Sequence, residues 1–188
     1  MVQAYAPPLT LDKFLRLPET QPASEYINHQ AIQKPMPQGE HSLLQVALCK
    51  AIDQTAEPER LAKAFSELRC VFGGAAIVPD VCVFRWERIP RTVSGRIANR
   101  FELYPDWAIE MLSPEQTQTR PLEKLLHCAE HGTELGWLVD PGAESILTLS
   151  AESQIKLFRG SQALPVLTGL ALNLSAADVF GWLKRVPT

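Results

Sequence analysis

Two carboxylates stand where the sequence otherwise places apolar residues. Asp80 interrupts the apolar run at 77–84 (IVPDVCVF), and Glu110 interrupts the run at 107–112 (WAIEML). Such nearly continuous apolar runs are typical of strands that are buried on both faces. Because burying an isolated carboxylate costs several kcal/mol unless it is paired or binds a metal, the sequence predicts a partner or a function for both groups.

Two carboxylates that converge from neighbouring strands form a hard-oxygen site of the kind that suits Mg²⁺ or Mn²⁺. A metal bound there lowers the pKa of a bound water and neutralises charge on a phosphate. Lys124, on the helix predicted after the Glu110 strand, is placed to orient the water and to stabilise developing negative charge. The alternatives are structural ion pairs or strand ends beside solvent for Asp80 and Glu110, and a solvated helix lysine for Lys124.

Apolar periodicity places these residues on a mixed set of elements. Helices are predicted at 11–17, 41–54, 121–131 and 175–184. Strands are predicted at 67–72, 77–84, 107–112 and 135–139, with one hairpin within 26–32 and a second formed by 146–149 and 155–158. This order predicts a single α/β domain over residues 1–188, with a mixed central sheet flanked by helices. The strands at 107–112 and 135–139 should be parallel and joined by a right-handed crossover.

The composition is that of an ordinary globular chain and excludes several classes of protein. Of the 188 residues, 46% are hydrophobic and 21% are charged, and the net charge of -3 argues against a passive DNA-coating protein. The four cysteines form no C-x-x-C pair, so we expect buried free thiols in a reducing cytoplasm. A signal peptide and a run of about 18 apolar residues are both missing, so we expect a cytoplasmic protein without a membrane span.

Two further groups of residues could bind ligands. The stretch 85–100 contains five arginines and one acidic residue, which predicts a basic loop beside the two carboxylates that could hold phosphates. A solvated loop is the alternative. His127 and His131 lie four residues apart on a predicted helix but lack the His-Glu-x-x-His order of zinc hydrolases, which favours a surface position without a metal.

Together these residues resemble a known pattern. The Pro-Asp at 79–80, a glutamate in the next strand and then a lysine resemble the PD-(D/E)XK nuclease superfamily, which has the fold of type II restriction endonucleases. More narrowly, the EMLSP piece at 110–114, Lys124 and the WLVDP strand end at 137–141 resemble the Uma-two family of restriction-endonuclease-like bacterial proteins. The resemblance extends from the first predicted helix to the last, and it implies a restriction-endonuclease-like fold.

The resemblance implies a role for each matching residue. The metal ligands fall on Asp80 and Glu110. The superfamily's usual lysine, two residues after the glutamate, would fall on Leu112, which cannot replace it, and Lys124 matches the position of a lysine that has moved to the following helix.

Two more residues match the family, and the chain departs from it at three places. Glu25 in the first hairpin and His41 at the start of the long helix match supporting catalytic positions; a surface carboxylate and an ordinary helix-start residue are the alternatives. Arg120 stands where the family usually has an aspartate, 28–29 is Asn-His in place of Asp-Gly, and Cys128 replaces a tyrosine. The departures leave the three central groups in place.

The resemblance implies an Mg²⁺-dependent or Mn²⁺-dependent endonuclease that hydrolyses phosphodiester bonds of DNA, with a homodimer left open. Two alternatives remain at this point. One is a degenerate nuclease fold that serves as a nucleic-acid-binding or protein-interaction module, and the other is a metal-dependent hydrolase of small phosphate esters. Because two nearby carboxylates repel each other without metal, we expect Asp80→Ala and Glu110→Ala to leave stability unchanged or slightly higher.

Overall fold

The computed structural model describes residues 9–114 and 116–184. Within them the chain forms helices α1 (Leu11–Phe14), α2 (Gly39–Ala56), α3 (Thr119–Glu130) and α4 (Ala176–Lys184). The strands are β1 (Ser24–Ile27), β2 (Gln30–Gln33), β3 (Ala62–Ser66), β4 (Cys70–Phe72), β5 (Ala75–Ile77), β6 (Val81–Arg85), β7 (Trp107–Met111), β8 (Leu135–Asp140), β9 (Ser145–Ser150) and β10 (Ile155–Arg159). The predicted domain at 1–188 also includes residues 1–8, 115 and 185–188, which lie outside the described part, so its extent stays a prediction.

The described strands form two sheets. The central sheet has six strands in the order β10-β9-β8-β7-β6-β3, and the smaller sheet has four in the order β2-β1-β5-β4. In the central sheet β7 and β8 are parallel, as predicted, and the other neighbours are antiparallel. The predicted mixed α/β fold is therefore confirmed, whereas the separate four-stranded sheet was not predicted.

The central sheet is covered on both faces, which explains its nearly continuous apolar strands. On one face, α2 and α4 pack against Val83, Ile109 and Trp137. On the other face, α3 and the smaller sheet pack against Cys82, Phe84 and Ala108. Side chains that alternate along one strand thus enter two different cores, and the face that a residue occupies is fixed by its position in the strand.

Local sequence signals define the helix starts. The Thr10 hydroxyl accepts a hydrogen bond from the Lys13 amide at 3.3 Å at the start of α1. Ser175 and Asp178 form the reciprocal capping pair predicted for α4, with amide-to-side-chain distances of 2.9 and 3.2 Å. α1 is shorter than the predicted 11–17, whereas α2 and α3 each start two residues earlier than predicted.

The predicted strand at 77–84 is two strands in different sheets. β5 ends at Ile77 and β6 begins at Val81, and the connection between them holds Pro79. Proline has no N–H for a strand ladder and restricts the residue before it, so the chain leaves one sheet there and enters the other.

Two other strand predictions were wrong in extent or missing. Glu67 has a φ of 47°, a left-handed conformation that a strand cannot continue through, and strand β4 begins only at Cys70. β3 was not predicted because its sequence, AKAFS, lacks the β-branched residues that mark strands.

The four cysteines are free thiols, as predicted, and three of them (Cys70, Cys82 and Cys128) are buried. Across the described residues, we find no helix that combines the length and the apolar character needed to cross a membrane.

Candidate active site

The break between β5 and β6 places Asp80 opposite Glu110. Val81 pairs with Ile109 in the antiparallel β6–β7 ladder, so Asp80, one residue earlier, faces Glu110 across the two strands. Residues directly opposite share one face of a sheet, with Cβ atoms about 4.5–5.5 Å apart. Asp80 and Glu110 are only 2% and 4% exposed. The two carboxylates therefore lie on the same face of the sheet, as a shared metal site requires.

Asp80 is held by groups from three elements. Its Oδ2 accepts a hydrogen bond from the Met111 amide at 2.7 Å. Its Oδ1 lies 2.6 Å from Nζ of Lys34 and 3.3 Å from Nε2 of His41. Its backbone carbonyl accepts from Nε2 of Gln45 at 2.7 Å. The side chain is thereby fixed in a position from which it faces Glu110.

The side chain of Lys124 points toward Glu110 and forms an ion pair with it. The Lys124 Nζ lies 2.6 Å from Oε1 of Glu110 and 2.7 Å from Oε1 of Glu25. Glu25 in turn accepts a hydrogen bond from the Val78 amide at 2.6 Å. Lys124 is on the N-terminal half of α3, which follows β7 directly and packs against β7 and β8, so a helix lysine reaches the strand glutamate without an E-x-K strand.

All five residues that the sequence singled out line one cavity of about 40 Å³. They are Glu25, His41, Asp80, Glu110 and Lys124. A cavity of this size holds a water or an ion. The structure therefore brings together residues from β1, α2, β7, α3 and the β5–β6 connection, which lie up to 99 positions apart in the chain (25 to 124).

Two residues of this cluster were missed by the sequence analysis. Lys34 follows β2, lines the cavity, and has a side chain only 9% exposed. Nothing in its neighbours distinguishes it from a surface lysine. Gln45 could have been found, because it lies one helical turn after His41 in the buried stripe that contains Leu44 and Leu48. Two polar residues in an apolar helix stripe indicate a polar neighbour.

Among the polar side chains of the cluster, the imidazole of His41 has the fewest hydrogen-bond partners. It is 7% exposed, and neither ring nitrogen makes a well-directed hydrogen bond, although Nε2 lies 3.3 Å from Asp80. Buried polar atoms normally have partners. The unpaired imidazole beside a water-sized cavity therefore indicates that the site is built to receive a polar ligand.

The pKa values of the two carboxyl groups shift in opposite directions from their ordinary values. Burial alone would raise the pKa of Asp80, but the nearby imidazole of His41 and the ammonium of Lys34 lower it below its ordinary value. Burial raises the pKa of Glu110 to about 8, with Lys124 opposing this shift and Asp80 adding to it.

Lys124 stays protonated within this cluster. Burial alone would lower its pKa, but Glu110 and Glu25 outweigh burial and raise the pKa above its ordinary value. Lys124 keeps its proton because it faces two carboxylates, whereas the pKa of Glu110 is about 8. Glu110 is therefore the group whose charge changes near neutral pH.

The donor set fits a hard divalent cation. Asp80 and Glu110 both line the cavity and offer carboxylate oxygens to it. Among the described residues, no three His, Cys, Asp or Glu side chains of this cavity have ligand atoms within 4.8 Å of one another. Mg²⁺ commonly uses only one or two carboxylates, with waters and substrate oxygens as its other ligands, so a pair of carboxylates is sufficient.

The arginine-rich loop does not lie beside this cavity, contrary to expectation. Asp80 precedes β6, whereas the loop leaves the opposite end of that strand at Arg85, about 16 Å away at 3.3 Å per residue. Arg85 pairs with Glu134 at 2.8 Å, and Arg88 pairs with Asp106. The expectation was wrong because strand direction, which decides the end of the sheet that a loop occupies, was not considered.

Comparison with known proteins identifies the family. The profile of the Uma2 family, described as "Putative restriction endonuclease", matches residues 11–177. The fold is similar to the crystal structure of a "putative nuclease belonging to DUF820" from Anabaena variabilis, with a TM-score of 0.91 and 48% sequence identity over 94% of this chain and 99% of that chain. A comparison with curated proteins returned no match. The chain therefore belongs to the Uma2 family of restriction-endonuclease-like proteins.

Proposed function

We propose that this protein is an Mg²⁺-dependent or Mn²⁺-dependent endonuclease that hydrolyses phosphodiester bonds of DNA. The observation that carries the proposal is the pair of buried carboxylates, Asp80 and Glu110, which face each other across two strands and line one cavity with Lys124. Membership of a family described as "Putative restriction endonuclease" supports the same reaction class.

Asp80 and Glu110 would hold the metal ion. When bound, the ion lowers the pKa of a coordinated water and neutralises charge on the attacked phosphate. Asp80 is already fixed for this role by the Met111 amide at 2.7 Å, so little reorganisation is needed on its side. Glu110 must be ionised to serve as a ligand, and its raised pKa makes that step favourable only at neutral to alkaline pH.

Lys124 would orient the attacking water and stabilise the extra negative charge on phosphorus in the transition state. Its ammonium is held 2.7 Å from Glu25, so it remains charged and in place when Glu110 turns to another partner. His41, with unpaired ring nitrogens at the cavity, would donate to or accept from the water or a phosphate oxygen. Arg120, which lines the same cavity and is half-buried, would contact a phosphate of the substrate.

One observation favours the degenerate-fold alternative. Both carboxylates already have a cation at hydrogen-bond distance, Lys34 on Asp80 and Lys124 on Glu110. Ion pairs of this kind can be purely structural, and the fold would then bind nucleic acid or a protein without cleaving it. For catalysis, Lys34 must leave Oδ1 of Asp80, which it can do because it also bonds the Val78 carbonyl at 2.9 Å.

A cleavage panel tests the proposal. Single-stranded, double-stranded and branched DNA would be incubated with the protein and Mg²⁺ or Mn²⁺, with a chelator in parallel reactions, and with Glu110→Gln as the matched variant. Metal-dependent cleavage that Glu110→Gln abolishes supports the proposal. DNA binding without cleavage under every metal condition would establish the degenerate-fold alternative. Hydrolysis of a small aryl phosphodiester with intact DNA would establish the small-ester alternative.

A further inference from the structure

A second candidate metal site lies at the other end of α3. One ligand atom from each of His127, Glu130 and His131 lies within 4.8 Å of the others. The two imidazole ring centroids are 4.3 Å apart. Among the described residues this is the one such group of three His, Cys, Asp or Glu side chains. Residues three and four apart share a helix face, so the end of α3 brings the three side chains together.

The backbone fixes which nitrogen of each ring is free. Nδ1 of His131 lies 2.8 Å from the carbonyl oxygen of His127, and Nε2 of His127 lies 3.3 Å from the carbonyl oxygen of Phe72. A carbonyl can only accept, so both of these nitrogens carry the proton. The lone pairs are therefore on Nδ1 of His127 and Nε2 of His131. Metal-binding histidines in proteins typically donate their other N–H to a carbonyl or a carboxylate in this way.

The β4–β5 turn is shaped to hold the His131 ring. Gly73 has a φ of +56°, and a Cβ built on it would lie 2.1 Å from Nε2 of His131 and 2.5 Å from both neighbouring ring carbons. These distances place that Cβ above the ring face at Nε2, perpendicular to the in-plane lone pair, so a side chain at 73 would displace the imidazole. Phe72 packs against both rings, with centroids 5.0 Å from His127 and 5.6 Å from His131.

We propose that His127, Glu130 and His131 form a site for a borderline transition-metal ion, with Zn²⁺ as the preferred ion. Two imidazoles and one carboxylate are the ligands that suit Zn²⁺ and not Mg²⁺. This donor set is unlike the all-oxygen pair of Asp80 and Glu110, so the two ends of α3 would select different ions. The sequence favoured a surface histidine pair without a metal, because the His-Glu-x-x-His order is missing. That order identifies a catalytic zinc motif, and its absence does not exclude a metal ligand at Glu130, three residues after the first histidine.

Zinc binding can be measured separately from the carboxylate site. Zn²⁺ would be titrated into the full chain by calorimetry in excess Mg²⁺, and the ring nitrogen resonances of the four histidines would be followed by NMR. We expect one equivalent of Zn²⁺ to shift the signals of His127 and His131. His131→Gln and Glu130→Gln should each weaken Zn²⁺ binding at least about tenfold. Glu130 is exposed and His131 is half-buried, so two independent variants carry the test if one fails to fold.

Two controls decide the interpretation. His29→Gln removes an exposed histidine on the β1–β2 turn and should bind Zn²⁺ as the parent does. Glu110→Gln should also keep this binding. Unchanged affinity in His131→Gln and Glu130→Gln would overturn the proposal. So would a loss of affinity confined to Glu110→Gln, because Zn²⁺ would then occupy the carboxylate cavity. Neither result depends on whether the protein cleaves DNA.

Discussion

The chain contains two Pro-Asp dipeptides, at 79–80 and 105–106, and only one of them lies at the candidate active site. Each precedes a strand of the central sheet, and each aspartate is buried, at 2% exposure for Asp80 and 4% for Asp106. Because β6 and β7 are antiparallel, the two dipeptides lie at opposite ends of this strand pair. The molecule thus offers an internal comparison between two buried carboxylates in similar local sequence.

Asp106 is satisfied entirely within the protein. Its Oδ2 accepts from the Arg85 amide at 2.7 Å, and its Oδ1 pairs with the guanidinium of Arg88. That guanidinium also stacks on the Tyr104 ring, 4.4 Å from its centroid, and donates to the Tyr104 carbonyl. Asp106 therefore ties the arginine-rich loop to the strand ends. No second carboxylate is among the partners of Asp106 that the structure describes.

More charged groups surround Asp80 than are needed to neutralise its carboxylate. Four carboxylates (Glu25, Glu67, Asp80 and Glu110), two ammonium groups (Lys34 and Lys124), one guanidinium (Arg120) and an imidazole without a hydrogen-bond partner (His41) line one small cavity. The comparison teaches that a buried Pro-Asp marks a strand start, and that a second buried carboxylate opposite it distinguishes a candidate metal site from a structural ion pair.

The largest difference between the two ends should appear in DNA cleavage. We expect Glu110→Gln and Asp80→Asn to reduce metal-dependent cleavage on the order of 10²–10³-fold or more, the range found when one group that stabilises a transition state is removed. Asp106→Asn should retain the parental rate per folded molecule. Initial rates on one DNA substrate, with the folded fraction measured by circular dichroism, provide the check. Equal losses in all three variants would remove the distinction.

For stability we expect the opposite order, with a larger effect at Asp106 than at Glu110. Asp106→Ala deprives the Arg85 amide of its acceptor and Arg88 of its counter-ion, so we expect a loss of about 1–3 kcal/mol in unfolding free energy. Glu110→Gln should change stability little without metal, because Glu110 with a pKa of about 8 is already largely protonated at neutral pH and glutamine has the same shape. Urea unfolding of the metal-free proteins at neutral pH measures both. A larger loss in Glu110→Gln than in Asp106→Ala would identify Glu110 as structural.

For Asp80, the structure changes the stability effect that we expect from an alanine substitution. From the mutual repulsion of the two carboxylates, the sequence predicted that Asp80→Ala and Glu110→Ala would leave stability unchanged or slightly higher. The Lys34 ammonium at 2.6 Å and the lowered pKa of Asp80 show that its charge is stabilised in the fold, so Asp80→Ala should be destabilising because it leaves Lys34 buried without its partner. The prediction remains in force for Glu110, whose pKa is raised.

Glu110 should also make the metal-free protein less stable as the pH rises. Its pKa is 4.5 in an ordinary environment and about 8 in the fold. Between these values the folded state holds a proton that the unfolded state has released, so stability falls across this window as pH increases. Glu110→Gln should flatten the fall, and Asp106→Asn should not. Unfolding free energies at several pH values within the window measure the slope of each protein, and parallel slopes for parent and Glu110→Gln would contradict the raised pKa.

Much of this site could be predicted from sequence, for reasons that particular residues make clear. Asp80 and Glu110 were found because a charged residue within an apolar run costs free energy to bury unless it has a partner or a function. Lys124 was found because its predicted helix directly follows the Glu110 strand. Glu25 and His41 were located by the family pattern, which indicates proximity between distant segments that periodicity cannot provide.

The parts that could not be predicted depend on pairings between distant segments. Lys34 becomes part of the site only because the β1–β2 hairpin joins β5 in a second sheet, and no local pattern specifies that pairing. The position of the arginine-rich loop depends on the direction of β6. The split of the strand at 77–84 could have been anticipated, since Pro79 is unfavourable within a central strand.

The smallest effect is expected from the arginine-rich loop itself. Arg96 is exposed near the loop's turn, where its carbonyl accepts from the Thr92 amide at 2.8 Å, and it belongs to the Asp106 end of the comparison. In a Glu110→Gln background, which should bind DNA without cutting it, we expect Arg96→Gln to leave both the affinity and its salt dependence unchanged. Arg120→Gln, at the carboxylate cavity, should weaken binding and reduce the slope of log affinity against log salt by about 1, as the loss of one phosphate contact does. Fluorescence anisotropy over a range of salt concentrations measures both slopes. A reduced slope for Arg96→Gln and not for Arg120→Gln would mean that DNA binds at the Asp106 end, and the assignment of the two ends would have to be exchanged.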